Sequence, residues 1–125
     1  MRHFSRSDRV AGLIQRLLSV LLAKEIKDPR LEMAVITSVD MSDDLRNARI
    51  YFIPSGGRRN RVDAEKGFKA ARGYIKRTLA RELGLRYMPE LEFCFDESFD
   101  YGSRIEEILQ SIDTADGSDH QTPEK

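Results

Sequence analysis

Six cations recur between Val62 and Leu83: Lys66, Lys69, Arg72, Lys76, Arg77 and Arg81. Spacings of three and four residues, with Lys76 and Arg77 adjacent, set most of them along one arc of a helix, where they can meet successive phosphates of a polyanion. The formal net charge of zero hides this. Residues 58–88 carry ten Lys/Arg against three Asp/Glu, and residues 89–125 carry two against eleven. A basic segment beside an acidic one implies a polyanionic partner for the first and solvation or self-shielding for the second. Arg6, Arg9 and Arg16 near the N-terminus, and Arg58, Arg59 and Arg61 before the basic helix, extend the positive set. Solvated charge on a small protein is the competing explanation for all of them.

Other chemistry finds little support. The histidines, His3 and His120, lie close to the two ends, and no histidine falls in a segment able to activate a serine. One cysteine, Cys94, leaves no intrachain disulfide and no metal-ligand spacing. Asp43-Asp44 and the group Asp96, Glu97 and Asp100 fall in turns, where carboxylates cap backbone more often than they catalyse. Gly56-Gly57 lacks the GxxxxGK[ST] and GxGxxG contexts of nucleotide loops, so it reads as a flexible, basic loop. The sequence is therefore expected to be that of a binding protein without a cofactor or metal.

The elements that must position these cations follow from periodicity. Val10, Leu13, Ile14, Leu17, Leu18, Leu21 and Leu22 make one apolar stripe on a helix from Ser7 to Ile26, capped by Ser5 with Asp8 or by Ser7. Pro29 stops that helix near Lys27. Met33 to Met41 alternates, with Val35, Thr37, Val39 and Met41 expected on one face. After the turn Ser42-Asp43-Asp44, Ala48, Ile50 and Phe52 share one face of a second, antiparallel strand ended by Pro54. Phe68, Ala71, Ile75 and Leu79 form the apolar face of the basic helix. Gly73 costs about 1 kcal/mol there against alanine, so a break or kink is expected at Ala71-Arg72-Gly73. Gly84 ends the helix. Leu91, Phe93 and Phe95 then alternate in a third strand, parallel to one neighbour.

The chain is long enough for one core, expected over residues 1–112 with a short helix at 104–112. An acidic tail at 113–125, without aromatics, is expected to be disordered. No apolar run approaches the roughly 20 residues of a membrane span, and no secretory signal opens the chain, which favours the cytoplasm. The fold class is α+β: a three-stranded sheet with helices on one face, in the order α-β-β-α-kink-α-β.

That order is similar to a type II KH domain, in which a GxxG loop between two helices clamps single-stranded backbone. Here the junction is Ala71-Arg72-Gly73-Tyr74, without the second glycine. The departure, with Arg9-Val10, Glu25-Ile26-Lys27-Asp28-Pro29-Arg30-Leu31, Met41-Ser42-Asp43-Asp44-Leu45, Ala48-Arg49-Ile50-Tyr51 and Pro89-Glu90-Leu91-Glu92-Phe93, resembles the bacterial ribosome-binding factor A family over residues 5–110. The resemblance implies a monomeric, non-enzymatic factor that binds the free 30S subunit and 16S rRNA. It also implies a role late in 30S maturation, in processing the 16S rRNA 5′ end, and an importance greatest in the cold. It assigns Lys76 to contact with the subunit and carries no contact over to Asp43. A general KH-type single-stranded RNA-binding protein is the alternative, and a protein–protein adaptor using the acidic tail is a third reading.

Overall fold

A computed structural model describes residues 5–98. Helix α1 (Arg6–Lys24) leads to strand β1 (Val35–Met41), strand β2 (Asn47–Ile53), helix α2 (Arg61–Leu83) and strand β3 (Glu90–Phe95). The sheet order is β1-β2-β3, with β1 antiparallel and β3 parallel to the central β2. Both helices pack on the face bearing Ile36, Met41, Ala48, Ile50, Phe52, Leu91 and Phe95. This is the expected α+β arrangement. The short helix expected at 104–112 and the acidic tail at 113–125 lie outside the described residues.

Ser5 caps α1 by the expected box: its hydroxyl accepts the Asp8 amide at 3.1 Å, and the Asp8 carboxylate accepts the Ser5 amide at 3.2 Å. Val10, Ile14, Leu18 and Leu21 go into the core, while Leu13 is 41% exposed, so the buried stripe is narrower than expected. The helix also stops earlier, at Lys24. Asp28 is extended because Pro29 follows it, and its carboxylate caps a 3-10 turn at Pro29–Leu31 that periodicity did not indicate.

Strand β1 departs from simple alternation. A bulge between Ile36 and Ser38 inserts Thr37 without a partner on β2. Ile36 therefore shares the core side with Val39 and Met41, opposite Phe52, Ile50 and Ala48 in turn, and Val35 is left exposed. The Gln15 amide donates to the carbonyls of Ile36 and Thr37, and the Thr37 hydroxyl donates to Asp96 at 2.6 Å. These contacts secure the extra residue.

The expected division of the basic helix is absent. Residues 61–83 form one unbroken α-helix through Ala71-Arg72-Gly73. Phe68 on one side of the glycine and Ile75 and Leu79 on the other are fully buried. The Phe68 ring stacks on Phe93 at 4.5 Å and tilts against Phe52 at 4.8 Å. Burying three such side chains gains about 1.5–3 kcal/mol each, which outweighs the roughly 1 kcal/mol that one glycine costs. Gly84, at φ 63°, ends the helix as expected. Gly67 has a different role, because a Cβ there would come within 2.9 Å of Leu31, so the glycine lets the Pro29–Leu31 turn rest on α2. Among the described residues no helix is long and apolar enough to cross a membrane.

Candidate nucleic-acid interface

Helix α2 buries Ala64, Gly67, Phe68, Ile75, Thr78 and Leu79, so its opposite face must point to solvent. At 100° per residue that face carries Lys66, Lys69, Gly73 and Arg77, with the small side chains of Ala70 and Ala80 between them. All of these residues are exposed. Among the described residues Lys66, Lys69, Arg77 and Arg81 make no ion pair with a carboxylate. Lys66, Lys69 and Arg77 form an open ridge of cations along about three turns of the helix.

The flank of α2 nearer β3 is neutralised. Glu90, at the start of β3, accepts from Arg72 Nη2 at 2.7 Å and from Lys76 Nζ at 3.3 Å. Glu97, just past the strand's other end, pairs with Arg58 and with Arg61 Nη1 at 3.1 Å. Arg61 also bonds Glu65 at 3.0 Å, one turn along the helix. Arg58 and Arg61 both lie over the Phe95 ring, at 4.9 and 5.4 Å from its centre. Four of the twelve candidate cations are thus held on the protein by two carboxylates.

The remaining candidates spread over other elements. Arg6, Arg9 and Arg16 are exposed along α1, away from its core stripe. Arg59 is exposed on a 3-10 turn, Gly57–Asn60, into which the glycine-containing loop folds. Gly56 and Gly57 take φ of 84° and 74° there, and the Gly57 amide donates to the Pro54 carbonyl at 3.0 Å. Ala71 is half-buried on the core side, so of the two residues expected to form a kink only Gly73 faces solvent.

Of the carboxylates that could have suggested catalysis, Asp44 and Asp96 are engaged by neighbouring donors and Glu97 by Arg58 and Arg61, and Asp100 lies outside the described residues. Asp44 accepts from the Ser42 hydroxyl at 2.7 Å and the Arg46 amide at 3.0 Å, and these bonds hold its carboxyl below the usual range. Asp96 accepts from Thr37 and Ser98. Burial pushes the Cys94 thiol up, away from thiolate chemistry. No group of three metal-ligating side chains occurs among the described residues.

Sequence reasoning missed Glu90 and Glu97 as partners of the basic set. Arg72 and Glu90 are separated by eighteen residues, and only the parallel β2–β3 pairing brings them together. Tyr74, the aromatic side chain exposed on α2, donates its hydroxyl to Glu25 at the end of α1, and this bond raises the phenol's pKa.

A family model described as ribosome-binding factor A matches residues 6–109. A ribosome-binding factor A from Desulfatibacillum aliphaticivorans is 54% identical over 116 residues, covering 93% of this chain and 94% of that protein. The crystal structure of ribosome-binding factor A from Thermus thermophilus superposes with a TM-score of 0.59 at 26% identity, covering 70% of this chain and 92% of that one. A homology model of the Thermus thermophilus factor, fitted into a cryo-electron microscopy map of its complex with 30S, gives a TM-score of 0.51 at 26% identity. It covers 68% of this chain and 93% of that one.

Proposed function

The chain belongs to the ribosome-binding factor A family, and we propose that it binds free 30S subunits through 16S rRNA during late maturation. In this reading it acts as a monomer in the cytoplasm, assists processing of the 16S rRNA 5′ end, matters most in the cold and performs no chemistry itself. The observation that carries the reading is the ridge of Lys66, Lys69 and Arg77 around Gly73, exposed and without carboxylate partners among the described residues. The similarity to a factor fitted into a 30S complex supports the choice of partner.

The ridge would meet RNA as a rigid surface. A two-glycine loop could wrap a flexible strand, whereas an unbroken helix offers cations at fixed spacing, suited to a folded backbone whose phosphates are already positioned. Each phosphate contact releases counterions, so affinity should fall steeply with salt. With Tyr74 engaged by Glu25, α2 offers no free aromatic platform for base stacking.

The test is co-sedimentation of the triple variant Lys66→Glu, Lys69→Glu and Arg77→Glu with purified 30S subunits. Loss of three phosphate contacts should lower the slope of log affinity against log salt by about 2–3. Affinity should drop at least tenfold, with unfolding of the free protein unchanged. Unaltered co-sedimentation refutes the assignment. Equal binding to short single-stranded oligonucleotides, without preference for 30S, would instead favour a general RNA-binding protein.

A further inference from the structure

A second surface begins where Arg72 leaves α2, beside the middle of the basic ridge. The end of β1 and the starts of β2 and β3 come together there, and Asp40, Asn47, Arg49, Arg72, Glu90 and Glu92 line an open pocket of about 440 Å³. Strand pairing sets their order. Asp40 lies opposite Arg49, Arg49 opposite Glu92, and Asn47 opposite Glu90. Asn47 is thus diagonal to Asp40, at about 7–8 Å, a span that one flat purine can bridge. Glu90 accepts from Arg72 Nη2 at 2.7 Å, which closes the polar ring on the α2 side.

The hydrogen-bonding capacity of the pocket is only partly used. Arg49 faces Asp40 across the strands but gives its Nε to Glu92, at 3.3 Å. Among the described residues the Asp40 carboxylate has no ion pair or hydrogen bond, and neither has the Asn47 side-chain amide. Arg72 Nε is buried and likewise without a partner. Unused acceptors and donors in one recess call for a ligand that carries both on one rigid edge. Among the four RNA bases only guanine presents two adjacent donors, N1–H and N2–H2, with the acceptors O6 and N7 beside them. A carboxylate can take both donors at once, while Asn and Arg N–H groups can take O6 and N7. Adenine, cytosine and uracil each offer the carboxylate a single donor group. The Arg49 guanidinium adds a plane on which a base can stack.

We propose that this pocket takes one unstacked guanine, with Asp40 accepting from N1–H and N2–H2 and with Asn47 and Arg72 donating to O6 and N7. The inference rests on the RNA-binding reading for the source of the base. An RNA lying along Lys66, Lys69 and Arg77 crosses Gly73, next to Arg72, and a base turned over that flank enters the pocket. A free guanine nucleotide carries the same base, so the test separates the two sources.

The first arm is an amide NMR titration of the full chain with 5′-GMP, AMP, CMP and UMP. GMP should shift the Asp40, Asn47 and Arg72 signals with an affinity at least about fivefold above the other three, the discrimination of one bidentate pair. Asp40→Asn should move the preference to xanthosine 5′-monophosphate, which has a carbonyl at C2 in place of the amino group. Equal response to all four nucleotides, or shifts confined to Lys66, Lys69 and Arg77, overturns the proposal. So does tighter binding of arginine amide, which would mark a basic protein segment as the occupant. The second arm applies kethoxal, which modifies N1 and N2 of unpaired guanines, to 30S subunits carrying the protein. The wild-type chain should protect one guanine, and bound Asp40→Asn should leave it exposed. An identical pattern with both chains, alongside GMP selectivity, overturns the rRNA source and assigns the pocket to a free nucleotide. Failure of the wild-type chain to co-sediment with 30S refutes the ribosomal reading instead, and the GMP titration still decides the pocket.

Discussion

Gly73 is the residue at which stability and binding should move in opposite directions. Nothing in the fold requires a glycine there: it sits in regular helix on the solvent face, outside the left-handed region. A Cβ would meet only Arg77 Nη1, at 3.4 Å, the movable end of a long side chain. Gly73→Ala should therefore recover most of the glycine penalty, about 0.8–1 kcal/mol. For a chain of this size that corresponds to a rise in Tm of roughly 3–5 °C. The added methyl, however, would stand at the centre of the ridge, between Lys66 and Lys69 on one turn and Arg77 on the next. If a phosphate backbone closes on the helix there, 30S affinity should fall several-fold despite the gain in stability. Calorimetry of the free protein and co-sedimentation with 30S read the two effects separately. A fall in Tm would show that the helix depends on backbone freedom at residue 73, contrary to the regular geometry. A rise in Tm with unchanged affinity would move the interface off this part of α2.

The same substitution six positions upstream has the opposite expected effect. In Gly67→Ala the Cβ would lie 2.9 and 3.0 Å from Leu31 side-chain atoms and 3.2 Å from Arg30 Cβ, so denaturant unfolding should show a loss of about 1–3 kcal/mol. Glu90→Gln releases Arg72 and Lys76 from their shared carboxylate, and exposed pairs of this kind contribute about 0.2–1 kcal/mol each. Affinity for 30S should rise two- to fivefold with a steeper salt dependence; weaker binding would mean that Glu90 instead holds the two cations in position. Asp28 accepts from the Arg30 guanidinium and amide at 2.8–3.0 Å, and these bonds lower its pKa below 3.8. A depressed carboxylate pKa stabilises the fold above about pH 4, and the contribution disappears as pH falls through the folded value. The Tm difference between the wild-type chain and Asp28→Asn should accordingly be largest at neutral pH and shrink below pH 4; a constant difference would rule out the carboxylate as its source.

The local rules read most of the frame correctly because the elements concerned satisfy them without outside help. The stripe of α1, its Ser5–Asp8 cap, the Ala48-Ile50-Phe52 face and the Gly84 stop are each set within a few residues. The errors arose where a distant partner decides. A period-two reading assumes that every residue of β1 has a mate, and the bulge at Thr37 depends on Gln15, twenty-two residues upstream, and on Asp96. A glycine in mid-helix reads as a break until the burial of Phe68, Ile75 and Leu79 is known. Every candidate cation was visible as a charge. Which of them stay open to a partner was not, because Glu90 and Glu97 reach Arg72, Lys76, Arg58 and Arg61 only through the sheet.

The placement of those two carboxylates gives the zero net charge a physical sense. A helix with cations on its whole exposed arc would attract any polyanion, since non-specific binding depends on little beyond charge density. Carboxylates at the two ends of β3 cancel the flank of α2 that faces the sheet and leave Lys66, Lys69 and Arg77 as a narrow strip. A narrow strip engages few phosphates unless the partner's own surface follows the helix. Shape then contributes discrimination that charge alone cannot supply. In the proposed reading an unbroken helix would serve better than a hinge, because a fixed spacing of cations rewards only a partner with matching phosphates and costs no ordering on contact. The apparent weakness at Gly73 fits the same logic: without a side chain at the middle of the strip, a phosphate backbone can come close to the helix between its flanking cations.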